Sequence, residues 1–365
     1  MSSKTITSNP TQAVIDLTAC RHNLSVAKQA APESKYLAII KANAYGHGIV
    51  HIAQALSEAD AFGVARIDEA IQLREADITA PILLLEGFTS ERELNLVHEY
   101  QLDSVIHNEN QLLLLEQSKD KAITVWLKID TGMHRLGFDP NDVKNVIQRL
   151  AQCPDVNQPV KLMTHLANAD DKNDVKTLKQ IEVFYQSIDS QSTNETSIAN
   201  SAGILGWPQS HVSWNRPGIM LYGVSPFLNS HSNEHNLKSV MTLSSRLIGV
   251  KKIDKGETIG YGGTYVCDKD TIVGIVAIGY GDGYPRHAKT GTPVLVNGIR
   301  CPLIGRVSMD MICVDLSEQE SAQVNDPVVL WGNGLPIEEI AESADTIAYE
   351  LLCGVTNRVN FNYLD

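Results

Sequence analysis

Between residues 13 and 223, short apolar runs alternate about eight times with longer segments whose apolar residues recur at helical spacing. No other feature of the chain restricts its fold as much. Strands that alternate with helices must lie parallel, because parallel neighbours need crossover connections. The runs at residues 13–17, 36–40, 62–65, 82–85, 104–106, 123–129 and 160–164 read as strands. Ile198 stands near the end of another, and residues 218–221 near the last. About eight strand–helix units over about 210 residues predict an α/β fold, a closed (β/α)8 TIM-type barrel. An open doubly wound sheet is the competitor, but the first strand is not followed by a glycine-rich turn of the right spacing. No short fixed period is present, which argues against a solenoid.

After residue 231 the texture changes. Residues 243–250, 272–278, 293–296, 301–304 and 327–331 are β-like, with glycine and aspartate turns between them. The reading is therefore a barrel over residues 11–230 and a mainly β C-terminal domain over 231–365, with residues 1–10 as an optional addition to the second. The boundary is expected in the polar stretch 227–233.

The formal net charge of -13 argues against a general binder of nucleic acid or anionic membrane. A few local arginines would still suffice for a small anion. No apolar run reaches the roughly 20 residues that span a bilayer, and residues 1–7 lack the apolar segment of a signal peptide. The cysteines (Cys20, Cys153, Cys267, Cys301, Cys313, Cys353) are scattered without zinc-ligand spacing, as in reduced cytoplasmic proteins. His47 and His51 are four apart, but no glutamate follows His47, so a zinc-protease site is not expected. No metal site is predicted.

In a barrel the reactive groups stand at the C-terminal ends of the strands. The run Tyr36-Leu37-Ala38-Ile39-Ile40 ends in Lys41 and passes into a turn containing Tyr45 and Gly46. A lysine at the end of a buried run is costly to keep charged, and its neutral amine can form a Schiff base with a carbonyl. Taken alone, Lys41 is better read as a solvated strand end, because most lysines are exposed. The other strands change that balance. Lys128 and Asp130 precede a loop with Arg135. His165 follows the next strand, Asn200 and Ser201 the one after, and Arg216 introduces the last. Each has an ordinary alternative: a satisfied histidine, a helix cap, a surface arginine. Their shared position after predicted strands favours the functional reading. The glycine-rich stretches 260–263 and 279–283 match no phosphate-binding loop and precede no helix, so they read as β turns.

With these residues in place, the chain resembles the alanine racemase family, whose members combine a pyridoxal-phosphate-binding barrel with a β domain. The resemblance covers nearly the whole length. It is carried by Lys41-Ala42-Asn43-Ala44-Tyr45-Gly46-His47-Gly48, by residues 128–137, by Arg216-Pro217-Gly218-Ile219, by residues 279–284 and by Gly305-Arg306-Val307-Ser308-Met309-Asp310. The resemblance implies racemisation of L- and D-alanine with pyridoxal 5'-phosphate as cofactor, Lys41 and Tyr261 acting as the two bases. Lys41, Tyr45, His165, Asn200, Ser201, Arg216, Gly218, Ile219 and Tyr349 would bind the cofactor, with Arg216 at the pyridine nitrogen. Arg135 and the main chain at Met309 would hold the substrate carboxylate. Lys128, Tyr280 and Asp310 would support the site. In some members the lysine matching Lys128 is carbamylated and steadies the arginine matching Arg135. A cytoplasmic homodimer is implied, each Tyr261 completing the site of the other subunit. The family's proline and arginine after Arg358-Val359 are replaced here by Asn360 and Phe361. A decarboxylase of related plan would carry an acidic residue where Arg216 stands. A non-catalytic pyridoxal-phosphate-binding protein would lack the β domain and Tyr261.

Overall fold

Eight short parallel strands close on themselves in the computed structural model, which describes residues 10–118, 121–188, 195–228 and 230–365. The reading of residues 1–7 as leaderless therefore lies outside the described residues, as does Asn229 of the expected boundary. The chain divides into two units. One comprises Cys20–Leu221 and Ser225–Leu237. The other takes the segment up to Ala19, Tyr222–Val224 and Lys238–Asp365.

In the first unit the barrel order is Lys35–Ile39, Ala61–Val64, Ile82–Leu84, Asp103–Ile106, Val125–Lys128, Lys161–Met163, Thr196–Ser197 and Trp214–Asn215. Trp214 and Asn215 pair with Lys35 and Tyr36 to close it. Ala61–Val64, Ile82–Leu84 and Val125–Lys128 are buried at every position, as expected of strands covered on both faces. The surrounding helices bury one stripe each. Val143–Leu150, for example, turns Val143, Val146 and Leu150 inward. Helix starts are set by sequence: Ser90, Asn108 and Asn200 each accept the backbone N–H three residues on.

The N-terminal mouth of the barrel is plugged. The ammonium of Lys161 lies 4.8 Å from the ring centre of Trp126 and 4.5 Å from that of Trp214. Glu195 accepts from Lys35 at 2.6 Å and from the Trp214 indole at 2.9 Å, and pairs with Lys161 at 3.2 Å. The opposite mouth, where the strands end, is left for chemistry.

Two expectations are corrected. The strand read first in the barrel series is Gln12–Asp16, and it is not a barrel strand. It pairs antiparallel with Met241–Ile253 and parallel with Asn360–Leu364, inside the sheet of the second unit. Only Ala13 and Ile15 are fully buried, alternate positions that suit a strand covered on one face. The last barrel strand is Trp214–Asn215, and the apolar run after it is a 3-10 turn, Ile219–Tyr222. Arg216 therefore follows the last strand rather than introducing it.

The second unit is mainly β. Its eight-stranded sheet runs Thr271–Val276, Ile312–Asp315, Ile299–Ile304, Pro293–Val296, Pro327–Trp331, Met241–Ile253, Gln12–Asp16, Asn360–Leu364. Met241–Ile253 also pairs with Thr271–Val276 beyond an irregularity at Leu247 and Gly249, so six of these strands form a closed ring. Two short helices, Ile337–Ser343 and Ala348–Gly354, accompany it.

Candidate active site

Lys41 stands where the first barrel strand ends, on a backbone that no ordinary sequence prefers. Ala42, Asn43, Ala44 and Tyr45 all have φ between +51° and +54°, a left-handed turn built without glycine. Each such residue costs about 1–2 kcal/mol. The turn is held by local bonds. Ala44 donates to the Ile40 carbonyl at 2.8 Å and Gly48 to the Asn43 carbonyl at 3.0 Å. The Asn43 side chain accepts from Ile49 N–H at 2.9 Å, and Asn43 N–H meets the Glu69 carboxylate at 3.3 Å. Burial holds the His47 imidazole down at about 4, so it braces the turn as a neutral ring, Nδ1 lying 2.9 Å from the Tyr45 carbonyl.

Arg216 is 3 % exposed and lies across the barrel end. Its Nη1 donates to Ser197 Oγ at 2.6 Å. Its Nη2 donates to the Thr164 carbonyl at 2.6 Å and to the Ile198 carbonyl at 3.1 Å. Burial draws it down to about 10, which leaves it charged at neutral pH. Nη2 also lies 3.3 Å from His165 Nδ1. A guanidinium only donates, so Nδ1 must accept and the His165 proton sits on Nε2. Burial, then Arg216, Lys128, Arg135 and Lys41 in that order, keep this imidazole far below its usual range and hence neutral.

Lys128 is buried at the end of its strand. Burial, then Arg216, Arg135 and Lys41, draw its amine from 10.5 to about 8, while Asp130 opposes them. Lys128, Asp130, Arg135, Thr164 and His165 line one small cleft. Arg135 rides on a loop folded back by paired bonds between Phe138 and residues 128 and 130. Burial would raise the Asp130 carboxyl, but bonds from the His134 and Gly132 N–H groups outweigh it and hold it low.

Tyr45, Ser201, Gly218 and Ile219 gather at a second point of the same rim. Ser201 Oγ accepts from Gly218 N–H at 2.9 Å and from Met220 N–H at 3.3 Å. A Cβ on Gly218 would lie 3.0 Å from the Tyr45 hydroxyl. Asn200 has a structural task, since its Oδ1 caps the helix Ser201–Gly206 through Gly203 N–H at 3.0 Å.

The other expected residues lie in the second unit. Tyr261 opens a 3-10 turn and is 69 % exposed. Met309, Tyr280 and Tyr349 are also exposed. Asp310 accepts from Arg358 at 2.7 Å. Sequence reasoning missed Ser197 and the Thr164 carbonyl, which seat Arg216. It also missed Gln180, whose amide donates to the His165 carbonyl at 3.1 Å. No motif surrounds any of the three.

Among the described residues, no helix is long and apolar enough to cross a membrane. The family model described as the alanine racemase N-terminal domain matches residues 15–226, and that of the C-terminal domain matches 240–363. The chain is 51% identical over 354 residues to the biosynthetic alanine racemase of Escherichia coli, covering 96% of this chain and 98% of that protein. An alanine racemase of Shigella dysenteriae serotype 1 is 50% identical over the same coverage. Among solved structures, the biosynthetic alanine racemase of Pseudomonas aeruginosa superposes with a TM-score of 0.95 at 44% identity, covering 98% of this chain and 100% of that one. The alanine racemase of Acinetobacter baumannii gives 0.92 at 36% identity, with the same coverage.

Proposed function

The chain belongs to the alanine racemase family, and from that membership we propose how its own residues interconvert L- and D-alanine. The observation that carries the proposal is the gathering of cations on one barrel mouth: Lys128 and Arg135 line one cleft with His165, Arg216 Nη2 lies 3.3 Å from His165 Nδ1, and Lys41 follows a strand of the same barrel.

Pyridoxal phosphate fits the residues present. The Tyr45 hydroxyl comes within 3.0 Å of where a Gly218 Cβ would stand, and Ser201 Oγ accepts Gly218 N–H, so two hydroxyls and main chain suited to a phosphate meet at Gly218. Tyr45, Ser201, Gly218, Ile219 and Tyr349 would hold that end, Lys41 the aldehyde end, and Arg216 the pyridine nitrogen. Bound there, the cofactor would supply the electron withdrawal that acidifies the substrate Cα–H.

Racemisation removes a proton from one face of Cα and returns one to the other. A single base that cannot cross the substrate plane does this poorly. Lys41 Nζ serves one face in this reading, taking the proton of the D isomer. The Oη of the partner's Tyr261 serves the opposite face and the L isomer. Arg135 and Met309 N–H hold the substrate carboxylate. His165, protonated on Nε2, has that proton to offer the phenol, which favours its deprotonated form. Arg216 stays protonated and cannot take the role of an acid that shares its proton with the ring. The Cα carbanion is then less dispersed and regains its proton at Cα, which disfavours transamination.

The exposure of Tyr261, Tyr280 and Met309 supports a homodimer in which each second unit completes the partner's barrel mouth. Relatives described as biosynthetic favour supply of D-alanine over its breakdown, and the corresponding reading is a cytoplasmic enzyme that feeds peptidoglycan synthesis. Pure L-alanine added to the cofactor-loaded enzyme should lose optical rotation without release of CO2. Release of CO2 would instead indicate a decarboxylase, and unchanged rotation a binder. Mixing Lys41→Ala with Tyr261→Phe subunits should restore about a quarter of the wild-type activity, because half of the dimers then carry one intact site. No recovery on subunit exchange would count against shared sites.

A further inference from the structure

We propose that Arg358 is a positioning residue for the substrate carboxylate, acting by locking the segment that carries Met309 to the segment that carries Tyr280. The inference rests on the reading above that Met309 N–H receives that carboxylate.

Arg358 lies between the helix Ala348–Gly354 and the strand Asn360–Leu364. Its guanidinium reaches a carboxylate on each of two separate segments. Nε is 3.3 Å from Asp282 Oδ1, and Nη2 is 2.7 Å from Asp310 Oδ1. Asp282 is 4 % exposed, and its second oxygen accepts Gly279 N–H at 3.0 Å. Thr356 adds two bonds to the same segment, its N–H to the Asp282 carbonyl at 3.1 Å and its Oγ1 to the Gly281 carbonyl at 3.0 Å.

The two segments also meet through their backbones. Tyr280 N–H donates to the Ser308 carbonyl at 3.1 Å, and Gly281 N–H to the Met309 carbonyl at 2.9 Å. These bonds fix the direction of the group that matters. Ser308 C=O and Met309 N–H belong to one planar trans peptide and point oppositely. With the carbonyl turned toward Tyr280, Met309 N–H is turned outward, free of that segment. The approach requires glycine at 279, since a Cβ there would strike the carbonyls of both Ser308 and Met309.

Ile278, Tyr284 and Val307 are buried and anchor the bases of the two segments. At the tips, Met309, Tyr280 and Asp310 are exposed. There the Arg358 bridge adds a side-chain link to the two backbone bonds that join the segments. An exposed ion pair alone contributes little. Here one of the two carboxylates is buried, and removing the guanidinium would leave it without its cation.

The test uses the cofactor-loaded enzyme with Arg358→Met, Arg358→Lys and Asp310→Asn, the last two guarding against a variant that fails to fold. Arg358→Met should raise the KM for alanine about tenfold and leave kcat within about twofold, as loss of uniform binding does. Inhibition by acetate should weaken by the same factor, while methylamine, which has no carboxylate, should bind as before. Hydrogen exchange of residues 279–284 and 305–311 should accelerate together, and Arg358→Lys should recover part of each effect. Unchanged KM and acetate inhibition would overturn the proposal, and so would equal weakening of acetate and methylamine. Arg135→Ala, run alongside, separates two failures. If acetate weakens there but not in Arg358→Met, the positioning role alone is wrong. If acetate is unaffected in both, the assignment of the carboxylate site falls with it.

Discussion

Replacing Lys128 by methionine should change the pH dependence of stability in a defined direction. The lysine is 8 % exposed at the end of its strand, and burial together with Arg216, Arg135 and Lys41 draws it from 10.5 to about 8. At about 1.4 kcal/mol per tenfold, keeping it charged at pH 7 costs the fold about 3 kcal/mol. Between about 8 and 10.5 the unfolded chain still holds the proton that the folded chain has lost. Stability conferred by this group therefore rises with pH across that window. Methionine keeps most of the packing and removes the titration. The advantage of Lys128→Met over the parent should shrink by about 3 kcal/mol from pH 7 to 10.5. Groups outside the Lys128 cluster titrate alike in both proteins and cancel in the difference. Urea unfolding of cofactor-free enzyme, followed by tryptophan fluorescence, measures it. The buffers should be free of CO2, because a neutral amine adds it. A gap that stays constant across this pH range would refute the reasoning.

Three further outcomes are expected. Arg216→Glu should lose racemase activity and gain transamination, read as pyruvate and pyridoxamine phosphate formation; racemisation at the parent's rate would refute the role given to Arg216. Gly137→Ala should raise the KM for alanine while leaving cofactor affinity in an absorbance titration unchanged. Its φ is +134° and a Cβ would lie 2.6 Å from the Asp130 amide, which displaces the loop bearing Arg135. Glu195→Gln should flatten acid unfolding: burial would raise this carboxyl, but bonds from Lys35, Trp214 and Lys161 hold it at about 2. Its stabilisation is present above pH 4.5 and lost as pH falls toward 2, so variant and parent with identical acid limbs would contradict the assignment.

The barrel was readable because strands covered on both faces must be apolar throughout, as at Ile82–Leu84 and Val125–Lys128. The same rule explains the misplaced strand. Gln12–Asp16 alternates buried and half-buried positions, a pattern that distinguishes a one-faced strand from a barrel strand. The closing strand was missed because two residues, Trp214 and Asn215, suffice when their neighbours supply the register. The left-handed turn after Lys41 left no trace, since it uses Ala42, Asn43, Ala44 and Tyr45 where glycine would be the signal. Strand-end positions led to Lys41 and His165 on the barrel rim; Arg216 stands there as well, but after the last strand rather than before it. Such positions could not reveal that Arg358 reaches Asp282 and Asp310, because long-range pairing of single charged residues has no local pattern.

The sheet of the second unit has a consequence for synthesis of the chain. Gln12–Asp16 lies between Met241–Ile253 and Asn360–Leu364. It leaves the ribosome roughly 350 residues ahead of its parallel neighbour and must wait, unpaired, while the whole barrel is made. The barrel is nearly continuous in sequence and can close first. A chain stopped short of Asn360 would keep one side of that early strand bare, an open template on which a second nascent copy can dock in place of the missing one.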